Sequence, residues 1–110
     1  MKLRIISVLA AALLVGLPLA APAASATATV HIKNFKFVPA TVSVVRGTTV
    51  TFINDDQEPH TVTATDKSFD SEGLDTNGKW TPAFAKAGTF TYFCEMHPNM
   101  HGTVTVKAAQ

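Results

Sequence analysis

Between Val30 and Val106 the apolar side chains of this sequence follow a period of two almost throughout, and that alternation limits the fold more than any other feature. Val30 and Ile32 alternate ahead of Phe35 and Phe37, and Val42 and Val44 lead into a turn signal at Arg46-Gly47. Val50 and Phe52 follow, then the polar turn Asn54-Asp55-Asp56-Gln57, then Val62; Val104 and Val106 close the pattern. A period of two belongs to extended strands, whose successive side chains point to opposite faces. Only the segment from Thr65 to Trp80 is less regular, with Gly73 and Gly78 as turn signals and no sustained helical period. Short strands at close spacing with Gly and Asp/Asn turns predict an all-β fold, an antiparallel sandwich or barrel. Nothing repeats and no linker divides the chain, so one small domain is expected. Phe35, Phe37, Phe52, Trp80, Phe84 and Phe90 are expected in its core, where aromatics at strand period usually lie.

The alternation starts late because the first 26 residues have a different character. Lys2 and Arg4 make a positive start, Ile5 to Leu19 form an apolar run broken by Gly16 and Pro18, and Ala24-Ser25-Ala26 is a small-residue cleavage site. This is the pattern of an export signal, expected over residues 1–26, with cleavage before Thr27 or, alternatively, after Ala23. An uncleaved membrane anchor fits less well, since the run is short for a bilayer span and ends in Pro and Ala. No cysteine near the cleavage point supports lipid anchoring, and no Arg-Arg pair is present, so the chain is expected to cross unfolded and to acquire any metal in the periplasm. Nine basic residues less Lys2 and Arg4 leave seven against eight acids, a net charge of about −1 for residues 27–110, which argues against a nucleic-acid partner.

The chain contains one cysteine. Alone it cannot form an internal disulfide, so in an oxidising compartment it is a reactive thiol or a metal ligand. Phe90, Tyr92 and Cys94 share a parity, which points the cysteine toward the face the aromatics occupy. From there Cys94-Glu95-Met96-His97-Pro98-Asn99-Met100 brings a thiolate, an imidazole and a thioether into one short loop. Sulfur ligands favour Cu(I), imidazole suits both copper states, and two histidines, one cysteine and a distant methionine make a blue-copper site. The loop provides one histidine, and His60, 94 − 60 = 34 residues before the cysteine, is the candidate for the second. A zinc pattern using His101 as well is the competing arrangement, but structural zinc sites usually use more cysteine, and Pro98 and Gly102 leave no room for a helix between the histidines. His31 is expected as an exposed strand residue.

Asn34-Phe35-Lys36-Phe37-Val38-Pro39, Val42-x-Val44-x-x-Gly47-x-x-Val50-x-Phe52-x-Asn54, Pro59-His60, Gly88-Thr89-Phe90-x-Tyr92-x-Cys94 and Cys94-x-x-His97-Pro98-x-Met100-x-Gly102 together resemble the cupredoxins. The likeness is greatest to the amicyanin branch with its plastocyanin and pseudoazurin relatives, and it covers essentially residues 28–107; the two residues between His97 and Met100 match the short amicyanin-type loop. The resemblance implies a Greek-key β-sandwich over residues 27–110 and one type 1 copper cycling between Cu(II) and Cu(I). It also implies His60, Cys94 and His97 as equatorial ligands and Met100 as the weak axial one. Met96 does not match the axial position and is expected at the surface. Thr61 stands directly after His60, where amicyanin-like proteins tend to carry Asn, a departure that bears on any polar tie from that position to the cysteine loop. The resemblance further implies that His97 is partly exposed within an apolar rim that Pro59, Met96 and Pro98 would help form.

Three function classes follow. The first is a periplasmic one-electron carrier, not an enzyme, with no catalytic residues and no cofactor site beyond the four metal ligands. Its expected partners are transient redox proteins, a c-type cytochrome or, by family resemblance, an amine dehydrogenase. Asp55, Asp56, Glu58 and Glu95 are placed to steer a cationic partner, though the plainer reading is solvated turn residues. The second class is a copper-binding or delivery protein, kept open by His101 and Met96 beside the loop. The third is a thiol-dependent catalyst using Cys94 with His97 as base, for which no orienting carboxylate or oxyanion element is evident. A monomer is expected throughout.

Overall fold

The computed structural model describes residue 16 and residues 27–108; the expected signal segment and its cleavage points lie, Gly16 apart, outside the described residues. The described chain forms nine strands: β1 (Thr27–Lys33), β2 (Lys36–Val38), β3 (Thr41–Val45), β4 (Thr48–Asn54), β5 (Thr63–Ala64), β6 (Lys79–Trp80), β7 (Ala83–Phe84), β8 (Gly88–Phe93) and β9 (His101–Lys107). One sheet has the order β2-β1-β4-β6 with β7 also on β4, and the other the order β3-β9-β8-β5. This is the all-β sandwich the alternation predicts. Among the described residues no helix is long and apolar enough to cross a membrane.

The inward positions of the two sheets make one core. Val30 and Ile32 from β1, Val50 and Phe52 from β4, Tyr92 from β8 and Val104 from β9 are all fully buried. β4 is the most enclosed of the long strands, with Thr48, Val50, Phe52 and Asn54 buried on one parity and partly covered residues on the other. Aromatic rings tie the layers together: Tyr92 stands edge-on to Phe37 at 4.8 Å and to Phe52 at 5.4 Å. Its cross-strand partner is Gly102, where an added Cβ would come within 2.3 Å of the Tyr92 ring. The glycine is therefore required by close approach of the ring, not by a turn.

Two features differ from expectation. The sandwich is not purely antiparallel, because β1 pairs parallel with β4 and β3 parallel with β9. After the β1–β2 hairpin the chain crosses to the other sheet as β3, so β4 returns beside β1 running the same way; alternation fixes which face a residue takes but not which sheet its strand joins. Phe35 is not core. It is 45% exposed, at the tip of the β1–β2 hairpin, where Asn34 and Phe35 take φ of 53° and 58°. The turn breaks the parity that would have carried Phe35 inward. Phe37, Phe52 and Phe84 are buried, and Trp80 and Phe90 pack partly covered against them.

Candidate metal centre

The first histidine is placed by a buried amide. Asn54, fully buried at the end of β4, donates through Nδ2 to the carbonyls of Glu58 and Leu74, each at 2.8 Å, and accepts the Asp56 amide at 2.9 Å. These bonds fold residues 55–59 into a tight turn. His60 emerges from it and exchanges two backbone bonds with Leu74, at 3.1 Å and 2.7 Å, so its backbone is held as firmly as a strand residue.

The other donors come from the β8–β9 connection. Cys94 directly follows β8 on the parity of Tyr92 and is fully buried with it. The connection closes on itself, the Cys94 amide donating to the Met100 carbonyl at 3.2 Å and the Met100 amide to the His97 carbonyl at 2.9 Å. Pro98 between them lacks an amide donor and has a fixed φ, which stiffens the turn.

His60, Cys94 and His97 come together with their donor atoms all within 4.8 Å of one another. Cys94 Sγ lies 3.7 Å from Nδ1 of His60 and 3.7 Å from Nδ1 of His97. A first-row ion bound at about 2.0 Å to nitrogen and about 2.3 Å to sulfur, with about 120° between the bonds, sets those atoms about 3.7 Å apart. The donor set is soft, with one thiolate and two imidazoles, and it suits copper. Met100 is 4% exposed and lines the same shallow cavity of about 430 Å³ as His97 and Phe35. His101 is exposed on β9 and is not in the cluster, which removes the zinc pattern's extra ligand. Met96 is 50% exposed, as expected.

Three residues that shape this centre were not legible as such in the sequence. Asp56 is one: Oδ2 accepts from Nε2 of buried His60 at 2.9 Å, which leaves that ring's Nδ1 turned to the cluster. The same carboxylate accepts the amides of Asn34 at 2.7 Å and Phe35 at 2.9 Å. Burial pushes the Asp56 carboxyl up, but the Phe35 and Asn34 amides and the His60 ring outweigh it and hold the group below the usual carboxylate range. Asp56 is therefore neither a solvated turn residue nor a steering charge. Asp55 is also engaged, accepting from Nδ1 of exposed His31 at 2.7 Å, while Glu58 and Glu95 remain exposed.

Phe35 is the second. Pinned by Asp56, its ring stands edge-on to His60 at 5.4 Å and to His97 at 5.0 Å, covering both imidazoles. The third is Thr61, whose amide points to Cys94 Sγ at 3.3 Å and whose hydroxyl accepts the Glu95 amide at 2.9 Å. The polar tie to the cysteine loop is present without an asparagine. The signals for these roles are the i, i+4 spacing of Asp56 and His60, the two-residue turn at Asn34-Phe35, and a hydroxyl next to a candidate ligand.

Comparison with known proteins gives a match to the cupredoxin-like domain over residues 5–106. The chain is 31% identical over 83 residues to amicyanin of Paracoccus versutus, a match spanning 71% of this chain and 63% of that protein. It is 33% identical over 92 residues to amicyanin-alpha of Methylorubrum extorquens, spanning 79% of this chain and 76% of the relative. Among solved structures, the Cu(I) form of an amicyanin variant superposes with a TM-score of 0.69 at 29% identity, covering 74% of this chain and 82% of that one. With the two-sheet sandwich and a family match that runs through every described strand but the end of β9, the chain belongs to the cupredoxin-like family.

Proposed function

We propose that this protein is a blue copper one-electron carrier whose metal would be held by His60, Cys94 and His97, with Met100 as the weaker fourth ligand. The observation that carries the reading is the convergence of one sulfur and two Nδ1 atoms at 3.7 Å in a site whose cysteine and first histidine are fully buried. Copper, when bound, supplies the Cu(II)/Cu(I) couple; type 1 sites tune it through the axial ligand and the surroundings of the cysteine sulfur. The chain's part is to keep the donors still. Asn54 fixes the turn before His60, Asp56 orients its ring, and the closed Cys94–Met100 connection holds the remaining donors. Donors that stay in place in both oxidation states keep reorganisation small and transfer fast.

With copper bound, the partly exposed His97 would be the exit for the electron, at the rim of Phe35, Met96 and Pro98. A small apolar face of this kind suits a transient redox partner, whose interfaces lie at the low end of the size range. The proposed partners are a c-type cytochrome or an amine dehydrogenase, the latter by analogy with the amicyanin branch. The protein works in the periplasm as a monomer, reached by way of the signal over residues 1–26. An enzymatic role is disfavoured, since Cys94 is sealed from substrate and the orienting carboxylate serves His60, not His97.

Copper delivery would need an open, labile site, whereas His60 and Cys94 are fully buried and His101 stands apart from them. Voltammetry with metal analysis before and after cycling separates the readings. A reversible one-electron couple with one copper retained per chain is the expected result. Loss of copper to a mild chelator on reduction would overturn the carrier reading in favour of delivery.

A further inference from the structure

We propose that Thr61, Thr63 and Asp70 form a directed hydrogen-bond relay that positions the cysteine loop, an inference that rests on the copper site assigned above. The Glu95 amide donates to Thr61 Oγ1 at 2.9 Å; Thr61 Oγ1 and Thr63 Oγ1 are 3.0 Å apart; Thr63 Oγ1 donates to Asp70 Oδ1 at 3.3 Å. Both threonines are about as buried as core residues, at 4% and 5% exposure, while Asp70 lies at the surface.

The chemistry of the end group sets the direction of the whole chain. An ionised carboxylate only accepts, so Thr63 must give its proton to Asp70. The Thr63 oxygen then accepts from Thr61, and the Thr61 oxygen is left free to accept the Glu95 amide. Reversing any member would leave a buried donor without an acceptor, which is costly away from water. Asp70 itself is steadied by accepting the Glu72 amide at 2.8 Å.

Thr61 thus grips the cysteine segment twice, its amide on Cys94 Sγ at 3.3 Å and its hydroxyl on the next residue's amide. A threonine hydroxyl has two lone pairs and one hydrogen, so while it accepts the Glu95 amide its own buried hydrogen still needs an acceptor, and leaving it without one is costly. Thr63 is that acceptor. It is a positioning residue although it touches neither the thiolate nor the loop amide, and its influence reaches the site only through Thr61. Hydrogen bonds to a ligating sulfur withdraw charge from it and favour the reduced metal, so loosening the grip should lower the potential.

The test compares Thr61→Val, Thr63→Val and Thr61→Ser, with Asp70→Ala as a surface variant that does not disturb the core. In the copper-free protein, hydrogen exchange at the Glu95 amide should quicken about tenfold in both valine variants and in Asp70→Ala, and stay within about twofold of the parent in Thr61→Ser. In the copper-loaded protein the reduction potential should fall in the valine variants and return in Thr61→Ser. Thr63→Val with unchanged Glu95 exchange and unchanged potential overturns the relay, as does Thr61→Ser behaving like Thr61→Val. Should the parent protein form no blue copper site, the copper reading falls while the exchange measurement still decides the relay.

Discussion

Replacing Tyr92 by phenylalanine is expected to make the domain more stable. The ring is fully buried, and its hydroxyl is a buried polar atom with no hydrogen-bond partner among the described residues. Such an orphaned group costs about 1–3 kcal/mol, whereas the aromatic contacts to Phe37 and Phe52 and the seat over Gly102 survive without the oxygen. Allowing for the lost packing of one atom, a net gain of about 1 kcal/mol follows, equivalent to about 4–8 °C in Tm for a domain of this size. Alkaline pH gives a second signature. Burial pushes the Tyr92 phenol well above its ordinary value, so the unfolded chain releases its proton near pH ~10 while the folded one retains it. Over that window stability should fall with rising pH by about 1.4 kcal/mol per unit, and Tyr92→Phe should lack that fall. Tyr92 is the only tyrosine, so tyrosinate absorbance reports on it alone. Denaturant melts of the metal-free protein at neutral and alkaline pH would measure both effects. A variant less stable than the parent, or folded protein that forms tyrosinate near pH ~10, would mean that the hydroxyl is neither orphaned nor shielded from water.

Further outcomes follow from the same contacts. Gly102→Ala sets a methyl group 2.3 Å from the Tyr92 ring and should destabilise by about 3 kcal/mol or more by thermal melting, with partial recovery when Tyr92 is shortened to leucine. Asn54→Ala removes three hydrogen bonds, two of them buried, from the turn before His60 and should cost about 3–4 kcal/mol in urea unfolding. Because Asp56 is held below its unfolded value, its contribution to the metal-free protein should be complete above pH ~4 and lost as pH falls through the folded value; Asp56→Asn should flatten that acid limb in pH-dependent melts.

Much of this architecture could be read in advance, and the reasons are local. Alternation at Val30, Ile32, Val50, Phe52, Val104 and Val106 records burial of one strand face, and all six are buried. The Cys94–Met100 donors share one loop, so their spacing alone shows that they could meet. Residue type and a polar turn mark His60 as a candidate, but its approach to Cys94 depends on contacts 34 residues apart. Strand parity places Phe35 in the core, but a two-residue turn with positive φ resets that parity. Asp56 looked like its neighbour Asp55, and only the arrival of the β1–β2 hairpin, bringing the Asn34 and Phe35 amides, separates a buried ring-orienting carboxylate from a surface one. The parallel β1–β4 and β3–β9 pairs depend on the path between sheets, which side-chain periodicity does not encode.

The most direct measurement of the central claim is the visible and electron paramagnetic resonance spectrum of residues 27–110 loaded with one equivalent of Cu(II), beside the same protein alkylated at Cys94. An intense thiolate-to-copper band with narrow copper hyperfine splitting, abolished by alkylation, is the expected result. A pale tetragonal spectrum, or a spectrum that alkylation leaves unchanged, would contradict it.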